Sequence, residues 1–292
     1  MFSDFAKLIH RAEKLLDRVE ALLPAPSPEP DWKHAIAFRW RKRGLVGSLQ
    51  TVAHPQHIRL ADLQNIDPQK AEVERNTRQF VARLPANNVL LTGSRGTGKS
   101  SLVKAVWHEH AAQGLRLVEV DKGDLLDLPD IVERLAKRPE RFIVFCDDLS
   151  FDANEPGYKA LKVVLDGSIS GSAENVLIYA TSNRRHLMPE FFSENEAAKH
   201  VDGEVHPAEG TEEKISLSER FGLWVSFYPF SQDEYLAAVR HWLTQFQLRP
   251  SAALDRDALL WALSRGSRSG RVAWQFARDR AGQLGLKKKS RR

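Results

Sequence analysis

The chain has 292 residues, with 43 Lys plus Arg against 38 Asp plus Glu, a formal net charge of +5, 42% apolar and 28% charged residues. That is a globular composition, long enough for one large domain or two smaller ones without staples. The single cysteine, Cys146, excludes an internal disulfide and any zinc-finger or redox pair; no apolar run reaches the roughly 18 residues of a membrane span; and Asp4, Glu13, Asp17 and Glu20 argue against a secretory leader or transit peptide. The expected setting is cytoplasmic, with no membrane partner.

In chain order, apolar residues from Phe2 to Leu23 recur at three- and four-residue spacings, which predicts an amphipathic N-terminal helix over 1–23. Its apolar face would pack on its own domain or on a partner. Pro24, Pro26, Pro28 and Pro30 cannot continue a helix, so 24–57 reads as a stiff linker followed by a basic segment. In that segment Arg39, Arg41, Lys42 and Arg43 interleave with Phe38 and Trp40, a pattern that suits either a nucleic-acid grip or a short solvated run.

Short apolar runs then alternate with helix-length segments. Val89 to Thr92, Leu115 to Val120, Phe142 to Cys146, Asn175 to Ala180 and Leu223 to Phe227 predict five buried strands of a parallel sheet covered by helices on both faces. After Pro229 three helical patterns follow. The expected fold class is therefore α/β, three layers around a five-stranded parallel sheet, with a C-terminal helical lid and the N-terminal helix. The expected units are the α/β domain over 58–229, the lid over 230–284 and a basic tail over 285–292.

Directly after the first of these strands stands Gly93-Ser94-Arg95-Gly96-Thr97-Gly98-Lys99-Ser100, which fits G-x-x-x-x-G-K-[ST]. Glycines let such a loop curl so that several N–H groups point inward, and the helix start adds positive dipole, so the loop from Gly93 to Ser101 is expected to cradle the phosphates of ATP. Lys99 would reach the β and γ phosphates, and the Ser100 hydroxyl would ligate Mg²⁺. The third strand ends in Asp147 and Asp148. Asp147 would complete the Mg²⁺ shell and Asp148 would polarise the attacking water.

With these motifs in place the chain resembles the AAA+ ATPases. NVLIYATSN, residues 175–183, is similar to the strand whose terminal Asn is the sensor-1 residue, which implies that Asn183 positions water. LSERFG, residues 217–222, is similar to the arginine-finger segment, which implies that Arg220 acts on the nucleotide of a neighbouring subunit in a homo-oligomer. Ser269-Gly270-Arg271-Val272 resembles the opening of the lid helix with its sensor-2 arginine, which implies a phosphate contact for Arg271, with Arg268 as the alternative. The two-Asp ending departs from the usual Asp-Glu and looks like the initiator, helicase-loader and transposition-helper branch; the shorter Asp148 implies slow hydrolysis. Overall, Ile58 to Gly282 is similar to a bacterial AAA+ family of unassigned function.

Three uses of ATP remain open at this level. The favoured one is a nucleic-acid-associated ATPase, supported by the branch resemblance, the basic segment and the basic end. The second is remodelling of a protein client, in a non-threading form, because Asp121 to Leu126 lacks the aromatic of a threading loop. The third is a small-molecule kinase, which has no use for sensor residues. The charge surplus lies in Asp255 to Arg292, with 11 Lys plus Arg and 3 Asp plus Glu, and Lys287, Lys288, Lys289, Arg291 and Arg292 are expected beyond the last helix. Residues 184–216, including Phe191, Phe192, Gly203 and Gly210, are expected to form a partner-responsive loop or a plain insertion.

Overall fold

The computed structural model describes residues 9–14, 29–44, 46–151, 155–167, 173–184, 199–201, 204–206 and 217–289. The apolar runs form strands β3 (Val89–Gly93), β4 (Leu115–Glu119), β5 (Arg141–Cys146), β6 (Val176–Ser182) and β9 (Leu223–Phe227), all mutually parallel where they pair. They are preceded by β1 (Ala37–Arg43) and β2 (Val46–Thr51), and the seven strands run in the order β2-β1-β4-β5-β6-β3-β9. A separate hairpin pairs β7 (Lys199–Val201) with β8 (Glu204–His206). Burial on both faces explains why the central strands β3, β5 and β6 are mostly apolar rather than alternating. Val89 and Leu91, Leu117, Ile143 and Phe145 look to one core, while Leu90, Val118, Phe142 and Val144 look to the other.

Helices α1 (Asp67–Val81) and α2 (Lys99–His110) cover the first face, and α3 (Leu128–Ala136) and α4 (Pro156–Asp166) cover the second. In α1 the buried Val73, Asn76, Thr77 and Phe80 recur at three- and four-residue steps. The C-terminal helices are α5 (Gln232–Gln245), α6 (Ala252–Ser264) and α7 (Gly270–Lys289). Ser231 and Glu234 form a reciprocal capping box at the start of α5, at 3.2 and 2.7 Å, an arrangement that typically contributes about 1 kcal/mol. Tyr235, Val239, Leu243, Phe276 and Ala277 join the lid to the first-face core, so lid and sheet share one apolar cluster. Among the described residues no helix is long and apolar enough to cross a membrane.

The basic segment after the Pro-rich linker, read as a nucleic-acid grip or a solvated run, is sheet. Antiparallel β1 and β2 add to the β4 edge, and β1 runs parallel to β4 with Arg39 opposite Glu119. Phe38 and Trp40 alternate inward and are 1% and 2% exposed, while the basic residues meet carboxylates: Arg39 with Glu119, Arg41 with Asp121 at 2.9 Å, and Lys42 with Asp127 at 2.8 Å. The Trp40 indole N–H also donates to Asp127, at 3.0 Å. The run is basic because its neighbouring elements present acids to it, and that complementarity is invisible in the local sequence.

The C-terminal end also differs from expectation. Helix α7 runs to Lys289, so Lys287, Lys288 and Lys289 continue the helix rather than following it. Lys is a good helix former and nothing between Leu286 and Lys289 breaks the turn. Arg291 and Arg292, most of the 1–23 helix beyond the helical residues 9–14, and most of 184–216, including Phe191, Phe192, Gly203 and Gly210, lie outside the described residues.

Candidate nucleotide site

The loop after β3 turns through three glycines with positive φ: Gly93 at 126°, Gly96 at 79° and Gly98 at 108°. Such backbone favours glycine because it lacks a Cβ. A Cβ on Gly93 would stand 1.9 Å from the Phe227 carbonyl oxygen, so contact with β9 also demands glycine there. Thr97 is buried and donates from its hydroxyl to the Ser94 carbonyl at 2.8 Å, pinning the loop; Ser94 is half-buried and Arg95 exposed. Lys99, Ser100 and Ser101 form the first turn of α2, with Gly98 as its left-handed N-cap.

Lys99 is 5% exposed, and its ammonium donates to the Gly93 and Ser94 carbonyls at 2.6 and 2.7 Å and to the Asn183 side-chain oxygen at 3.0 Å. Burial pulls its pKa from 10.5 down to about 8; Asp148 and Asp147 oppose that fall, whereas Arg271 and Arg95 deepen it. The Ser100 hydroxyl donates to Asp147 at 2.6 Å. Asn183 donates its amide to the Asp148 carboxylate, closing a chain from loop to strand ends. Asp148 itself has φ 52°, a left-handed conformation unusual outside glycine and asparagine, and its N–H donates to Asp147 at 3.1 Å and to the Thr181 hydroxyl at 2.9 Å.

Thr181 was not singled out by the sequence. Its hydroxyl donates to Asp147 at 2.6 Å and so orients the same oxygen that Ser100 meets. Its signal was its place near the end of β6, two residues before Asn183, which follows the strand directly.

The lid start closes over the loop. The Arg271 N–H donates to the Gly96 carbonyl at 3.2 Å, and a Cβ on Gly96 would lie 2.7 Å from the Ser269 hydroxyl and 3.3 Å from the Arg271 Cβ. Arg268 is exposed and uses its carbonyl to hold the Phe230 N–H at 3.3 Å. Arg220 stands apart from this cluster in sequence and contacts, in the turn before β9, and pairs with Asp166 at the end of α4, 2.5 Å away. Cys146 is fully buried beside the site, and burial, then Asp147, pushes its thiol up to about 12, so it is a core side chain.

A largely parallel sheet with this loop at its strand ends and a helical lid over it defines a P-loop NTPase fold. It is shared with the Thermotoga maritima RuvB Holliday junction branch migration motor, at a TM-score of 0.50 and 15% identity over 80% of this chain and 67% of that one. It is shared also with the Aeropyrum pernix ORC1 protein solved in complex with DNA, at 0.54 and 14% identity over 77% of this chain and 61% of that one. The chain belongs to the DUF815 family, described as a protein of unknown function, whose model matches residues 33–284. That span takes in β1 and β2 as well as the lid. No curated protein matches the chain.

Proposed function

We propose that this protein binds and slowly hydrolyses Mg·ATP at the loop from Gly93 to Ser101. The observation that carries the reading is the single hydrogen-bonded cluster of Lys99, Ser100, Asp147, Asp148 and Asn183 at the carboxyl ends of β3, β5 and β6. The loop N–H groups and the start of α2 receive the phosphates, and Lys99 exchanges its loop carbonyls for β and γ oxygens. Two oxygen donors 2.6 Å apart, on Ser100 and Asp147, fit the hard-ligand preference of Mg²⁺. Bound there, the ion would neutralise charge on the phosphate oxygens. Asp148 polarises the water, Asn183 orients it, and Arg271, whose backbone already touches the loop, supplies a lid cation; it is preferred over Arg268 on that contact.

Arg220 is assigned to a neighbouring subunit's nucleotide, which makes the active form a homo-oligomer and requires Arg220 to leave Asp166. The favoured setting is association with nucleic acid. Its support is the likeness to a branch-migration motor and to an ORC1 protein solved with DNA, together with the basic end of α7. The basic run in β1 no longer adds to that support, because Arg39, Arg41 and Lys42 are engaged by carboxylates. The second reading, remodelling of a protein client, shares the same site. We further propose the α/β unit up to residue 229, the lid over 230–284, and a cytoplasmic location.

ATP binding by calorimetry with wild type and Lys99→Ala tests the core reading. Affinity should fall at least tenfold in the variant; equal affinity would sink it.

A further inference from the structure

At the amino-terminal ends of β4 and β5, the sheet edge opposite the phosphate loop, lies a cavity of about 280 Å³ whose polar wall is Arg83, Gln113, Gly114, Glu140 and Arg141. Two arginines stand out in that wall. The Arg141 guanidinium lies on the Phe80 ring, 4.7 Å from its centroid, and donates through Nη1 to the Glu174 carbonyl at 2.8 Å, but its buried Nε has no hydrogen-bond acceptor among the described residues. A buried donor left unsatisfied costs roughly 1–3 kcal/mol. Arg83 occupies a left-handed position, φ 62°, in the turn that ends α1, where its N–H meets the Phe80 carbonyl at 3.0 Å and the Leu84 N–H meets Gln79 at 2.9 Å. Glycine is the favoured residue at such a helix end, and any Cβ there costs on the order of 1 kcal/mol. A long cation is held at that position nonetheless.

The two cations line the same cavity. Burial first, and then the charge of Arg83, lowers the pKa of Arg141, with the exposed Glu174 opposing. The one carboxylate of the wall is already committed: Arg138 grips Glu140 through Nε at 3.1 Å and Nη2 at 2.9 Å. Arg116, which also acts on Glu140 after Arg138, carries a second buried Nε without an acceptor. The local surplus is therefore positive, and an arginine guanidinium has the planar donor geometry that recognises oxyanions.

We infer that this cavity is a binding site for a small oxyanion, a phosphate or a carboxylate, held by Arg83 and Arg141. It stands apart from the nucleotide site, at the other end of the same strands, and does not depend on ATP being the substrate there. A ligand in it would tie the end of α1 to the starts of β4 and β5.

The test uses full-length Lys99→Ala protein, which silences the phosphate loop as a competing anion site. Inorganic phosphate and, in a second arm, acetate are titrated while the amide signals of Gln113 and Gly114 are followed by NMR. Saturable shifts are expected with at least one anion, and the tighter of the two names the source. Adding Arg83→Ala, an exposed position whose loss relieves backbone strain only in part, should weaken that binding about tenfold, the effect of one charge-assisted hydrogen bond. Arg83→Lys should restore part of it. Shifts that never saturate with either anion, or an affinity unchanged by Arg83→Ala, would overturn the inference.

Discussion

Lys99 and Asn183, 84 residues apart, are joined by a 3.0 Å hydrogen bond from the ammonium to the side-chain oxygen. The amide of Asn183 is turned the other way, to Asp148. One side chain thus couples the phosphate-binding cation to the carboxylate assigned to the attacking water. Asn183→Ala should therefore leave ATP affinity within a few-fold of wild type while lowering turnover by about 10²-fold. Parallel binding and steady-state measurements check this; equal losses in affinity and turnover would assign Asn183 to binding alone.

The buried Lys99 makes stability depend on pH. Its folded pKa of about 8 lies below the unfolded 10.5, so between those values the unfolded chain holds more protons and stability rises with pH. Below about 8 the cost of burying the charge is present in full, and at about 1.4 kcal/mol per pKa unit it is on the order of 3 kcal/mol. Relative to wild type, Lys99→Met should be more stable at pH 7 than at pH 10. Urea unfolding at several pH values reads it, and a difference constant from pH 7 to 10.5 would contradict it.

Contact between loop and lid is set by Gly96. Gly96→Ala places a Cβ 2.7 Å from the Ser269 hydroxyl in a backbone with φ 79°, so the lid start must shift. ATP affinity should fall tenfold or more. Gly266→Ala, at φ 62° with nothing within 4 Å of the added Cβ, carries a backbone cost of about 1 kcal/mol without the clash and should bind ATP normally.

Arg220→Ala should spare ATP binding and lower turnover by roughly 10³-fold if its guanidinium serves a neighbour's phosphate. Turnover per subunit should also climb with protein concentration. A rate independent of concentration would place the complete site within one chain.

Trp40→Ala should destabilise the fold by about 3–5 kcal/mol, since the indole is 2% exposed and hydrogen-bonded to Asp127. Arg41→Ala, at a half-exposed ion pair, should change stability by less than about 1 kcal/mol and leave any DNA binding unaltered. Loss of DNA binding on Arg41→Ala, measured by anisotropy at low salt, would return the β1 run to the role of a nucleic-acid grip.

Taken by itself, the sequence determined the parts whose signal is local. Short, mostly apolar runs marked the five parallel strands, because a strand buried on both faces has few polar positions. The spacing of Gly93, Gly96, Gly98, Lys99 and Ser100 marked the phosphate loop, because only that order supplies positive φ and a cation together. Tertiary structure decided what depends on residues far apart in the chain. It turned the Phe38 to Arg43 run into a strand between β2 and β4, where Glu119, Asp121 and Asp127 come from elsewhere to meet it. It brought Thr181 onto Asp147 and placed Arg271, rather than Arg268, against Gly96. It also assembled Arg83 and Arg141 around one cavity from a helix end and a strand start 58 residues apart, because packing, which no short window of sequence contains, sets where charges meet.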